Sequence, residues 1–133
     1  MIPCLVVTHG QLAKELVAAA EMIVGEIEHI VPLCIGWQED VNEARDEIER
    51  TLKGLSVEKG AIIMTDMFGG TPSNLAMSFL KDRKIEVITG VNLPMIIKAA
   101  SQGENEDLGV LTEKICEKGK SNITIASRFL GES

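Results

Sequence analysis

Aromatic side chains are scarce in this 133-residue chain, at 3% of residues with three Phe, one Trp and no Tyr. The core must therefore come from Val, Ile, Leu, Met and Ala, and little surface is left for stacking bases or sugar rings. Positive charge is also short, 13 Lys and Arg against 20 Asp and Glu, for a net charge of -7. So acidic a chain repels phosphate backbones and anionic bilayers, which argues against nucleic acid and favours a protein partner with basic patches. The three cysteines, Cys4, Cys34 and Cys116, form no CxxC pair. Their odd number and wide spacing resemble neither a disulfide framework nor a zinc site and fit a reducing compartment. No apolar run approaches bilayer-spanning length, and Met1 leads into a strand with no basic region or cleavage site. A soluble, unprocessed cytoplasmic protein without direct membrane insertion is expected.

What is present is apolar patterning. With 45% hydrophobic and 25% charged residues, one globular domain over 1–133 is expected. Ile2 to Val7 is a β-branched run, after which Leu12, Leu16, Ala19, Ala20 and Ile23 recur at helical spacing within Gln11 to Val24. Ile27 to Ile35 predicts a second strand, and Asp40 with Glu43 forms a capping box for a helix from Val41 to Leu52. Ala61 to Thr65 predicts a third strand, with Thr71 as cap and Pro72 as first residue of the helix after it. Ile85 to Thr89 predicts a fourth. Gly90 to Pro94 then turns into a helix ending at Ala100, a further helix spans Leu108 to Glu117, and Ile123 to Ala126 predicts a short last strand. Alternating strands and helices, with strands of unbroken apolar character, predict a doubly wound α/β fold with a mainly parallel sheet and helices on both faces. Its switch point falls between the first and third strands. The last strand is open to a parallel, an antiparallel or an intersubunit arrangement.

Two segments carry the chemistry. Thr8-His9-Gly10 closes the first strand, and Thr65-Asp66-Met67-Phe68-Gly69-Gly70-Thr71-Pro72 closes the third. If those strands are neighbours, His9 and Asp66 meet at the same carboxyl edge. A carboxylate accepting from one ring N–H fixes the imidazole tautomer and leaves the other nitrogen nucleophilic. The backbone N–H groups of Gly69, Gly70 and Thr71, with the Thr71 hydroxyl, are suited to phosphate oxygens. No acidic cluster stands beside His9, so neither a metal nor a cofactor is expected, and transfer between protein side chains fits better than use of a nucleotide. Taken singly, His9 is a turn residue, Asp66 a loop acid and Gly-Gly-Thr-Pro an ordinary helix start; the pairing raises them together. His29 reads as a surface residue, and the mixed charges of Glu39 to Lys53 as a solvated helix face. Trp37 either covers core or lies at the crevice rim. Met67, Phe68, Leu93 and Pro94 offer an apolar docking patch.

Those two segments, extended to Ser73-Asn74, together with Gly90-Val91-Asn92-Leu93-Pro94-Met95, resemble the IIA component of the mannose-family sugar phosphotransferase system. The resemblance covers essentially the whole chain in order, and it implies a phosphotransferase of the phosphocarrier type. His9 would accept a phosphoryl group from the phosphohistidine of HPr and pass it to a IIB component, with Asp66 as orienting carboxylate. It also implies a homodimer in which the last strand crosses to the other subunit. Thr71 stands where a serine is common and keeps the hydroxyl. The sequence ends at Ser133 without a fused IIB domain, so a IIB partner on a separate chain is expected. Alternatives from other classes are a hydrolase with Thr71 or Ser73 as nucleophile and a receiver-like switch phosphorylated on Asp66. A regulatory member of the same family is a third. No sugar is specified.

Overall fold

The computed structural model describes residues 1–36, 40–82 and 84–131. The elements run β1 (Cys4–His9), α1 (Leu12–Val24), β2 (Ile30–Ile35), α2 (Val41–Lys53), β3 (Ala61–Thr65), α3 (Thr71–Met77), β4 (Ile85–Thr89), α4 (Leu93–Ala100), α5 (Leu108–Ser121) and α6 (Ala126–Phe129). The four strands pair in parallel in the order β2-β1-β3-β4. The chain leaves β1 in one lateral direction to form β2 and returns past it to form β3, which places the switch point between β1 and β3. At such a point the flanking connections diverge and open a crevice at the carboxyl ends of the strands.

Because side chains alternate across a strand, β1 and β3 feed two cores. Cys4, Val6, Ile62 and Met64 pack with residues of α1, α4 and α5, while Leu5, Val7, Ala61 and Ile63 pack with residues of α2 and α3. The sheet is thus covered on both faces, as its apolar strands predict. Local signals start the helices. Asp40 accepts from Asn42 N–H at 2.7 Å to open α2, Asn92 from Met95 N–H at 3.3 Å to open α4, and Asp107 from Val110 N–H at 3.1 Å to open α5. Among the described residues, no helix is long and apolar enough to cross a membrane.

Four sequence expectations are corrected. The buried stripe of α1 is Ala13, Val17 and Ala20, with Leu16 only partly buried, while Leu12 and Ile23 are exposed. The Thr8 hydroxyl accepts from Ala13 N–H at 2.7 Å, tying the first turn to the end of β1, and the small side chains let the helix lie close to the sheet. Thr71 is the first residue of α3 rather than its cap, which is Gly70. α5 runs past Glu117 to Ser121, because Gly119 is a packing glycine and not a turn. A Cβ there would stand 2.6 Å from Met95 Cγ and Sδ. Finally, Ile123 to Ala126 forms no strand within this chain: residues 123–125 lie outside any ladder and α6 begins at Ala126. A strand is held by its ladder partners. With none supplied by its own sheet, this segment leaves Ile123, Ile125, Phe129 and Leu130 all more than half exposed.

Candidate functional site

His9 is the last residue of β1, and Gly10 N–H donates to the Ile35 carbonyl at 3.0 Å as the chain turns away. Asp66 directly follows β3. The parallel register sets Val7 against Thr65, so the two side chains emerge at one edge. Asp66 Oδ2 lies 2.7 Å from His9 Nδ1 and also accepts from the His9 backbone N–H at 3.1 Å, while Oδ1 accepts from Met67 N–H at 3.0 Å. Both carboxylate oxygens are therefore held.

Burial is the largest single influence on Asp66 and pushes its pKa up. The hydrogen bonds from the His9 ring and backbone N–H, together with the ring's charge, jointly outweigh it and hold the carboxyl below its usual value. An ionised carboxylate only accepts, so Nδ1 is the donor, and in the neutral ring Nε2 carries the free lone pair. The imidazole is 51% exposed against 13% for the carboxylate. One side of the pair faces solvent and the other is fixed by the fold.

The far edge of the ring meets the β3–α3 loop. A Cβ on Gly70 would fall 2.7 Å from His9 Cε1 and 3.1 Å from Nε2, so only glycine admits this approach of the backbone. The first N–H groups of a helix have no intrahelical acceptor, which leaves Gly70 and Thr71 with donors beside the ring. Gly69 differs from the expectation. Its N–H donates to Ser73 Oγ at 2.9 Å, and Ser73 Oγ in turn donates to the Gly70 carbonyl at 3.0 Å. Ser73 is fully buried with donor and acceptor both engaged, which removes it as a hydrolase nucleophile. Thr71 is exposed and borders an open groove of about 330 Å³ shared with Asn42, Arg45 and Asn74.

Of the docking residues, Met67 and Phe68 are exposed, at 56% and 71%. Leu93 is half-buried and packs against the core, and Pro94 is half-buried beside it. Trp37 lies outside the described residues. His29 is half-buried, with Nε2 3.1 Å from the Ala99 carbonyl, and joins the start of β2 to α4 rather than standing at the carboxyl edge. The Gly90–Pro94 loop braces the site instead: Val91 N–H donates to the Thr65 carbonyl at 2.9 Å, and Asn92 Nδ2 donates to the Gly119 carbonyl at 3.1 Å. Sequence reasoning missed this bracing and the role of Ser73, because both are long-range hydrogen bonds or loop contacts with no periodic signal. Among the described residues, no group of three or more His, Cys, Asp or Glu side chains could hold a metal ion.

A histidine oriented by a carboxylate, exposed at a switch point beside free helix-start donors, can form and release a covalent bond to phosphorus. Comparison with known proteins shows the family to which the chain belongs. The model of the family described as the PTS system fructose IIA component matches residues 4–116. The fructose-specific EIIA component of the PTS system from Bacillus subtilis is 27% identical over 131 residues, covering 98% of this chain and 90% of that protein. The mannose-specific EIIAB component from Escherichia coli K12 is 32% identical over 123 residues, covering 87% of this chain and 36% of that longer protein. A phosphotransferase system component EIIA from Streptococcus agalactiae superposes with a TM-score of 0.88 at 27% identity, covering 96% of this chain and 99% of that one. The mannose/sorbose specific IIA subunit from Enterococcus faecalis gives 0.85 at 28% identity, covering 94% and 95%.

Proposed function

Since this chain belongs to the mannose family of IIA components of the sugar phosphotransferase system, we propose that it is a cytoplasmic phosphocarrier acting through His9. Nε2 attacks the phosphorus of a phosphohistidine on HPr. The new N–P bond forms as the donor's N–P bond breaks, and the bonding pair returns to the donor imidazole. The Nδ1 proton stays on the hydrogen bond to Asp66, whose charge stabilises the phosphorylated ring. In the reverse geometry the group passes to a nucleophile on a IIB component, and His9 recovers its lone pair. The 2.7 Å contact between Nδ1 and Asp66 carries this reading, because it leaves Nε2 as the reacting atom.

The phosphoryl oxygens are received by the N–H groups of Gly70 and Thr71 and by the Thr71 hydroxyl; Gly69, whose N–H is engaged by Ser73, acts by shaping the loop. Met67 and Phe68 form the centre of the docking surface for both partners, with Leu93 and Pro94 supporting its border. An exposed acceptor suits two successive partners, whereas a buried one would obstruct the exchange. The working form is a homodimer, in which the apolar segment beginning at Ile123 adds to the sheet of a second copy. Relatives carry the names of fructose, mannose and sorbose, so the sugar is set elsewhere in the system.

The test is incubation with phosphoenolpyruvate, enzyme I and HPr, followed by intact-mass measurement. One phosphate is expected on the wild type, labile in acid and stable in base, and none on His9→Ala. No phosphate on folded wild type with active upstream proteins overturns the reading.

A further inference from the structure

Ser73 is fully buried and, among the described residues, hydrogen-bonds to neither His9 nor Asp66, yet its hydroxyl is the centre of the loop that faces the histidine. It accepts from Gly69 N–H at 2.9 Å and donates to the Gly70 carbonyl at 3.0 Å. The two bonds bracket the Gly69–Gly70 peptide, one on each flank. That peptide leads into the Gly70 Cα, where a Cβ would stand 2.7 Å from His9 Cε1. Small rotations about the loop would therefore either drive the backbone into the ring or open a gap beside Nε2. Among the described residues, backbone hydrogen bonding does not hold the loop by itself: Asn74 N–H donates to the Gly70 carbonyl at 3.0 Å, which starts α3 but leaves Gly69 untethered.

We propose that Ser73 is a positioning residue for phosphoryl transfer, its hydroxyl locking the Gly69–Gly70 peptide so that the loop sets the position of the His9 ring and of the Gly70 and Thr71 donors. The proposal deepens the phosphocarrier reading and rests on it for its rate consequences. Ser73 sets geometry only, so it controls the transfer step and not the docking of the partner. Misplacing a reacting centre by a fraction of an ångström to an ångström slows a reaction by about tenfold to a hundredfold.

The experiment compares wild type, Ser73→Ala, Ser73→Cys and Ile48→Val in transfer from phosphorylated HPr, with His9 ring ¹⁵N shifts and Gly69 amide exchange recorded on the same samples. Ile48 is fully buried in α2, in the core cluster that includes Leu75 and Ala76 but none of residues 66–73, and supplies a destabilised control. Ser73→Ala is expected to lower kcat at least about tenfold with KM for HPr within a factor of two, to shift the His9 ring signals, and to expose Gly69 N–H to exchange. Ser73→Cys, which keeps a weak donor and acceptor of similar size, is expected to recover part of the rate and serves in place of the alanine variant if that one does not fold. Ile48→Val is expected to melt earlier with an unchanged rate. A wild-type kcat in folded Ser73→Ala, or an equal loss in Ile48→Val, overturns the proposal. If wild type itself takes no phosphate, the phosphocarrier reading fails, and unchanged His9 shifts in Ser73→Ala then overturn the positioning role separately.

Discussion

Asp66 and His9 show how two ordinary side chains are brought into a candidate site. Neither is unusual in the sequence, and the pairing follows from adjacent strand ends. The Asp66 carboxyl sits below its usual pKa in the folded chain, near 3.8 in the absence of partners. Its interactions with His9 therefore stabilise the fold fully above that value, and the contribution is lost as pH falls through the lower folded pKa. Thermal melts of wild type and Asp66→Asn are expected to differ at neutral pH and to converge as pH drops below about 4, the ordinary carboxylate range. A gap that persists through the acid limb would contradict the assigned direction. Thr65, one residue earlier, makes the opposite case. It is fully buried, and its hydroxyl has no hydrogen-bond partner among the described residues. An unpaired buried hydroxyl costs roughly 1–3 kcal/mol, so Thr65→Val is expected to raise the melting temperature, by about 1 kcal/mol in stability, with transfer unaffected. A lower melting temperature would mean that the hydroxyl is satisfied in solution. Cys4 is buried, and that burial pushes its thiol up to about 12, which keeps it in the neutral form.

At the scale of elements, the strands and helices were legible where each carries its own signal: apolar runs for β1, β3 and β4, and the Asp40 cap for α2. The departures came where one element's conformation depends on another. The Lys118-Gly119-Lys120 segment has turn composition, yet it is helical because Gly119 lies against Met95 of α4 and the Asn92 side chain reaches its carbonyl. Gly119→Ala improves helix propensity in isolation but places a methyl within 2.6 Å of Met95 Cγ and Sδ. The clash is expected to win, with a loss of about 1–3 kcal/mol of stability in denaturant unfolding, since overpacking exceeds the gain of up to about 1 kcal/mol from replacing helical glycine. A more stable variant would show that Met95 moves aside freely. Similarly, α1 has two apolar stripes, and the one that packs is set by the Thr8 hydroxyl and by the small residues facing the sheet.

The whole molecule is acidic, with an apolar pair, Met67 and Phe68, projecting next to the histidine. Charge complementarity sets association rate, and a buried aromatic anchor holds the complex. Phe68→Ala, already 71% exposed, is expected to leave the melting temperature within about one degree and to raise KM for HPr several-fold, as loss of a docking contact should. An unchanged KM with a lowered melting temperature would return Phe68 to a structural role. The C-terminal segment makes a prediction of the same kind. Ile123, Ile125, Phe129 and Leu130 are exposed in the single chain, at 78%, 56%, 77% and 70%. On the homodimer proposed above, truncation after Asn122 is expected to yield a folded monomer in analytical ultracentrifugation, with α5 intact, against a dimer for the full chain. A truncated chain that remains dimeric would place the interface elsewhere.

The sequence by itself determined the alternation of strands and helices, the two-faced cover of the sheet and the meeting of His9 with Asp66, because periodicity and strand-end position are local properties that topology rules convert into neighbours. Tertiary structure alone decided the rest. It engaged the Gly69 N–H with Ser73, made Gly119 helical, exposed Leu12 and Ile23 while burying Ala13 and Val17, and left Ile123 to Ala126 without a ladder. Each of these outcomes depends on which distant surface a residue meets, and that information is carried by the packed fold rather than by any window of the chain.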